Sequence, residues 1–140
     1  MKISILTFAI CLIAIVDSHA QVSAGVYRLS SNTFAAIGSD PDKKVFGEAR
    51  ISTGGRVGLE GTLGYNFVQR AEANFYSGFH LGVKNNSSND FYLGVPFGLL
   101  LKPFSEARNF GFLLEASPIL RTDSGSGHFR AGLGIKYTFR

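Results

Sequence analysis

"GHFRAGLGIKYTFR" (residues 127–140) alternates along its length. In an extended strand successive side chains point to opposite faces. Phe129, Ala131, Leu133, Ile135, Tyr137 and Phe139 therefore share one face. Arg130, Gly132, Gly134, Lys136, Thr138 and Arg140 share the other. The apolar face can meet a protein core or lipid, and the fold depends on which.

The rest of the chain carries the same pattern. Segments 45–53, 57–68, 73–84, 90–102, 109–121 and 128–139 read as strands, separated by "GGR", "QRAE", "NNSSN", "PFSEAR" and "DSGSG". Upstream, "QVSAGVYRLS" and "TFAAIGS" are weaker strand candidates, joined at "SN" and followed by the turn "DPDKK". The expectation is an all-β, antiparallel, up-and-down barrel of eight strands. In the first clear hairpin, pairing Arg50 with Glu60 keeps polar residues on one face. It sets Glu48 opposite Thr62 and leaves Gly54-Gly55-Arg56 as the loop.

Residues 1–20 read as a cleaved secretory signal peptide: Lys2, an apolar run from Ile3 to Val16, then Ser18-His19-Ala20. The run is shorter than the roughly 20 residues a spanning helix needs. Residues 21–140 are expected to form one barrel domain. The chain has 14 basic and 10 acidic residues; without Lys2 and Asp17 it has 13 and 9, still +4. No Lys/Arg run is present, so no nucleic-acid partner is expected. Cys11 leaves with the signal, and no cysteine chemistry is expected of the mature chain.

Three features orient the faces. The apolar side carries Phe and Leu at most positions, among them Leu59, Leu63, Phe75, Phe79, Leu81, Phe97 and Leu114. An eight-stranded interior is only just wide enough for side chains to fill, and these would overfill it. The polar side is rich in glycine: Gly58, Gly64, Gly78, Gly82, Gly94, Gly98, Gly111, Gly132 and Gly134. A crowded lumen needs such small residues beside large ones. The polar side also carries Glu48, Arg50, Glu60, Glu115, Arg130 and Lys136 near mid-strand. Facing lipid, each basic residue would cost about 2–4 kcal/mol at the midplane. Facing inward, the six can pair as a lumen ion network.

"SDPDKKVFGEARI", "LEGTLGYNFVQR", "FYLGVPFGLLLKPF", "NFGFLLEASPIL" and "AGLGIKYTFR" together resemble the small eight-stranded bacterial outer-membrane β-barrel proteins, over roughly residues 33–140. The resemblance implies an architecture and a compartment rather than an activity. It implies outer-membrane lipid as surroundings, a monomer, and a C-terminal strand read by the outer-membrane assembly machinery. Tyr137 and Phe139 match that assembly signal, with Arg140 following the final aromatic. Tyr65, Phe67, Phe75, Phe110, Phe112, Tyr137 and Phe139 are expected to form an aromatic girdle at the end holding the C-terminus.

Catalytic signals are sparse, and no cofactor is expected. His80 falls on the lumen face and reads as a packed polar residue. His128 neighbours Asp123, Ser124 and Ser126, but on a Gly-Ser loop that cannot hold a triad rigidly. Asp40-Pro41-Asp42 reads as a turn rather than a calcium site. Pro96 and Pro118 interrupt strands and suggest bulges or a sheet edge. The expected role is structural or surface-interacting and non-enzymatic. The alternatives are a soluble periplasmic or secreted lipocalin-like barrel binding an apolar ligand and, more remotely, a lipid-modifying barrel enzyme.

Overall fold

A computed structural model of the protein describes residues 21–53, 58–85 and 89–140. The expected signal peptide, the Gly54-Gly55-Arg56 loop, Val57 and residues 86–88 lie outside these. The described chain is a single antiparallel sheet. Its strands are β1 (Val22–Leu29), β2 (Asn32–Ser39), β3 (Val45–Ser52), β4 (Gly58–Gln69) and β5 (Ala73–Asn85). They continue with β6 (Asn89–Gly94), β7 (Phe97–Leu101), β8 (Phe110–Arg121) and β9 (Gly127–Phe139).

β6 and β7 both lie between β5 and β8, so they are two halves of one barrel stave. The continuous strand expected over 90–102 is broken at Val95-Pro96, because proline has no N–H to give the ladder. The break is bridged by the Val95 N–H donating to the Pro118 carbonyl at 3.2 Å. Neither proline creates an edge. β1 pairs with β9 from Val22↔Phe139 to Leu29↔Gly132, and the sheet closes as eight staves.

The β3–β4 ladder sets Arg50 opposite Glu60 and Glu48 opposite Thr62, as the face argument requires. The β1–β2 turn falls on Ser30-Ser31, one residue before the expected "SN". Ser30 adopts φ 54°, a left-handed conformation uncommon for a residue with a Cβ. Ser30 N–H donates to the Ala131 carbonyl at 2.7 Å, and Ala131 N–H donates to Ser30 Oγ at 3.3 Å, which ties the turn to β9. At the β8–β9 turn the same conformation is taken by Gly125, φ 62°, without a steric cost. A β-bulge at Phe67 shifts the β4–β5 register between Asn66 and Val68 and turns both Phe67 and Val68 outward.

The two faces separate by chemistry. Large apolar side chains point outward: Phe79 is 60% exposed, Leu81 59% and Leu133 62%. The inward face is packed, and four of its aromatic rings follow one rule, while Phe34 lies opposite Tyr27 and Ser52. Tyr27 lies opposite Gly134, Phe46 opposite Gly64, Tyr92 opposite Gly82 and Tyr76 opposite Gly98. A Cβ at any of these four glycines would lie 2.1–2.3 Å from the facing ring. Each ring fills the space left by the side chain missing across the ladder.

Candidate functional site: a charged lumen and a covered mouth

The inward positions of β3, β4, β8 and β9 bring Glu48, Arg50, Glu60, Glu115, Arg130 and Lys136 into one buried cluster. Arg50 is its centre and is 0% exposed. Its Nε donates to Glu48 Oε1 at 2.6 Å, and its Nη1 reaches Glu60 Oε1 at 3.3 Å. Two parallel bonds, 2.7 and 2.8 Å, run from its Nη1 and Nη2 to the Glu115 carboxylate. Only the planar guanidinium fork can serve several carboxylates in this way. Arg130 makes a second two-bond contact, at 2.8 and 3.0 Å, with Glu60. Lys136 Nζ lies 2.5 Å from Glu48 Oε2.

Three tyrosines complete the cluster, one for each glutamate. Tyr27 donates to Glu48 Oε2 at 2.7 Å, Tyr92 to Glu60 Oε2 at 2.6 Å, and Tyr76 to Glu115 Oε2. The rings also pack against the cations: the Arg50 guanidinium sits 4.9 Å from the Tyr27 ring centre. His80 stands between the halves of the network. Its Nδ1 lies 2.7 Å from Thr62 Oγ1 and 3.3 Å from Glu60, and its Nε2 lies 3.1 Å from Ser117 Oγ and 3.2 Å from Glu115.

The structure thus joins all six charged residues named from sequence in one connected network, with one change of emphasis. Register makes Arg50 and Glu60 neighbours, yet the short two-bond contacts are Arg50–Glu115 and Arg130–Glu60. Sequence reading missed the tyrosines and the bridging role of His80. The signal was present, since Tyr76 and Tyr92 are solitary aromatics at the inward parity of their strands.

A second polar cluster closes the end of the barrel where β1 begins and β9 ends. The turn at residues 40–44 folds over this mouth, and polar side chains beneath it are buried. Asn66 Nδ2 donates to the carbonyls of Pro41 (2.8 Å) and Lys43 (2.6 Å), and Asn74 Nδ2 to that of Pro41 (3.2 Å). The Asp42 carboxylate receives Lys102 Nζ and Asn74 Nδ2, each at 2.5 Å, and Arg140 Nη2. Asp40 Oδ1 accepts the Asp42 N–H at 3.0 Å, which makes Asp40-Pro41-Asp42 a turn closed by its own side chain. Among the described residues no group of three or more His, Cys, Asp and Glu is placed to hold a metal ion.

Several outward aromatics cluster at the same end. Tyr65–Phe67, Phe110–Phe112 and Tyr137–Phe139 meet with ring centres 5.3, 5.2 and 5.0 Å apart. Phe104, from the β7–β8 connection, joins the second pair at 6.2 and 6.5 Å. At the opposite end Asp123 faces Arg121 at 3.1 Å and Ser124 faces Ser126 at 2.6 Å; these bonds do not orient His128 as a base.

A closed eight-stave sheet, apolar outside and charged within, defines the architecture of the small transmembrane β-barrels. The chain is similar in fold to the N-terminal β-barrel domain of Pseudomonas aeruginosa OprF, with 17% identity and a TM-score of 0.62 over 86% of this chain and 96% of that one. A de novo designed transmembrane β-barrel matches with 11% identity and a TM-score of 0.64, covering 87% and 98%. The Yersinia pestis outer membrane protein Ail, solved in a phospholipid bilayer nanodisc, matches with 14% identity and a TM-score of 0.55, covering 86% and 100%. No protein-family model matches the chain, and no curated protein matches it.

Proposed function

We propose that the protein is an integral outer-membrane β-barrel with a structural or surface-interacting role and no enzymatic activity. The observation that carries this reading is the sidedness of the wall. Large apolar residues such as Phe79, Leu81 and Leu133 stand on the outside, and the ion network stands within. Water would favour the reverse, because exposing a continuous apolar belt is costly and burying charges is costlier. Lipid favours the observed arrangement.

The network and the rings fill the waist, so the barrel acts as a wall rather than a diffusion pore. Its partners on this reading are outer-membrane lipid and the assembly machinery, which reads Tyr137 and Phe139 after export directed by residues 1–20. It is a monomer and binds no nucleic acid. A soluble lipocalin-like carrier would need an apolar lumen for its ligand. The centre here is occupied by carboxylates and guanidinium groups.

Cell fractionation tests the reading directly. The expected result is recovery in the outer-membrane fraction, solubility only in detergent, and gel migration that changes on heating. A mature protein that is soluble and monomeric in plain buffer would reject it.

A further inference from the structure

We propose that the turn at residues 40–44 is a latched stopper for the mouth of the barrel at the chain termini, and that Asp42 is its latch. The turn makes contacts well beyond its own hairpin. Backbone carbonyls of Pro41, Asp42 and Lys43 accept hydrogen bonds from Asn66, Gln69 and Asn74 on β4 and β5. The Asp42 carboxylate then ties the turn to Lys102, just past β7, and to Arg140, just past β9. One side chain therefore connects staves on opposite sides of the mouth.

The consequence is visible in burial. Asn66 and Asn74 sit near the end of the barrel, where polar side chains ordinarily meet water. Asn66 is nevertheless 0% exposed, because the turn lies over it. These contacts hold the turn to the mouth but add nothing to the wall ladders, which run through the strand backbones. Losing the Asp42 carboxylate should lift the turn off Asn66 and Asn74 while the eight staves stay closed. The stopper is thus a separately opening unit within a rigid wall.

Lys43 and Lys44 are exposed trypsin sites within the turn, and Arg70 in the β4–β5 turn is an exposed site on the same rim. The backbone around the lysines is pinned, since the carbonyls of Lys43 and Lys44 are both hydrogen bonded to Asn66. Cleavage there requires the stopper to open, and its rate follows the open population when reclosing is fast. The test is limited trypsin digestion of the folded protein in detergent micelles, with fragments identified by mass. Asp42→Ala should speed cleavage after Lys43 or Lys44 by about tenfold or more, leaving cleavage after Arg70 unchanged. Arg140→Gln removes one partner from outside the turn and should act in the same direction; it carries the test if Asp42→Ala does not fold. Unchanged cleavage at the lysines, or a parallel rise at Arg70, would overturn the proposal.

Discussion

Arg50 and Glu115 stand 65 positions apart in the chain and meet through two parallel hydrogen bonds at the centre of the lumen. Three staves separate β3 from β8 in either direction around the closed sheet, so this contact runs across the barrel's diameter. Removing Arg50 strips a cation from Glu48 and Glu115 at once, deep in the packed lumen. Arg50→Met is expected to cost about 3–5 kcal/mol. Adding Glu115→Gln should recover part of that loss. Urea unfolding in micelles of the two single variants and the double variant measures it; strictly additive losses would mean that the bridge contributes no coupling.

Glu60→Ala isolates a different cation. Arg50 keeps Glu48 and Glu115, whereas Arg130 loses both of its carboxylate bonds, and its buried Nε already has no partner among the described residues. The coupling of Glu60 in double-mutant cycles should therefore be larger with Arg130 than with Arg50, by about 1 kcal/mol or more. Equal couplings would contradict the geometry.

Lumen glycines opposite rings should be intolerant, and outward glycines tolerant. A Cβ at Gly82 would lie 2.1 Å from the Tyr92 ring, whereas one at Gly47 meets nothing within 4 Å. Gly82→Ala is expected to cost about 1–3 kcal/mol by overpacking, and Gly47→Ala close to nothing. Thermal unfolding of the pair is the check. Gly132 belongs with the intolerant group, because its Cβ would collide with the Arg28 carbonyl.

On the outer wall, Phe79→Arg near the middle of β5 should cost about 2–4 kcal/mol of stability in vesicles, by setting a guanidinium in hydrocarbon. The same variant in a soluble barrel would be harmless or favourable. Folding yields into phospholipid vesicles separate the two cases.

Asp42 links the stopper to pH. Burial tends to raise its pKa, but hydrogen bonds from Lys102 and Asn74, the Lys102 charge and a hydrogen bond from Arg140 outweigh it and leave it below the ordinary value of 3.8. Asp40 is the other acid in the same turn. A carboxyl group with a depressed pKa in the folded state gives stability that is present above the unfolded value of about 4 and is lost as pH falls through the folded one. Opening of the turn, followed by amide hydrogen exchange at Lys43, whose N–H donates to the Asp40 carbonyl, and corrected for the intrinsic rate, should therefore increase below about pH 4. In Asp42→Asn that contribution to the pH dependence should vanish.

How much of this was legible in the sequence differs by level. Strand order and facing could be read because one period, apolar against polar, governs every stave from Val45 onward. Acid-base matching could be read too, since six charges on the inward face have few other partners. Which acid meets which base could not, because that depends on chords across the lumen and not on adjacent-strand register. Arg50 and Glu60 illustrate this: ladder neighbours whose shortest bonds go elsewhere. The stopper was hidden for a similar reason. "DPDKK" has the chemistry of an ordinary turn, and nothing local says that Asn66, Asn74, Lys102 and Arg140 converge on it.

The ring-over-glycine pairs have a consequence for how the wall finds its alignment. A slip of two residues between neighbouring staves keeps every side chain on its proper face, so hydropathy alone cannot forbid it. The rings can. Such a slip would set Tyr92 against His80 or Lys84 in place of Gly82, and Phe46 against Thr62 or Asn66 in place of Gly64. Bulk would then meet bulk where the lumen has no room. Gly64, Gly82 and Gly98 each act as a notch that admits one tooth, and the hairpins carry their own phasing before the first and last strands join.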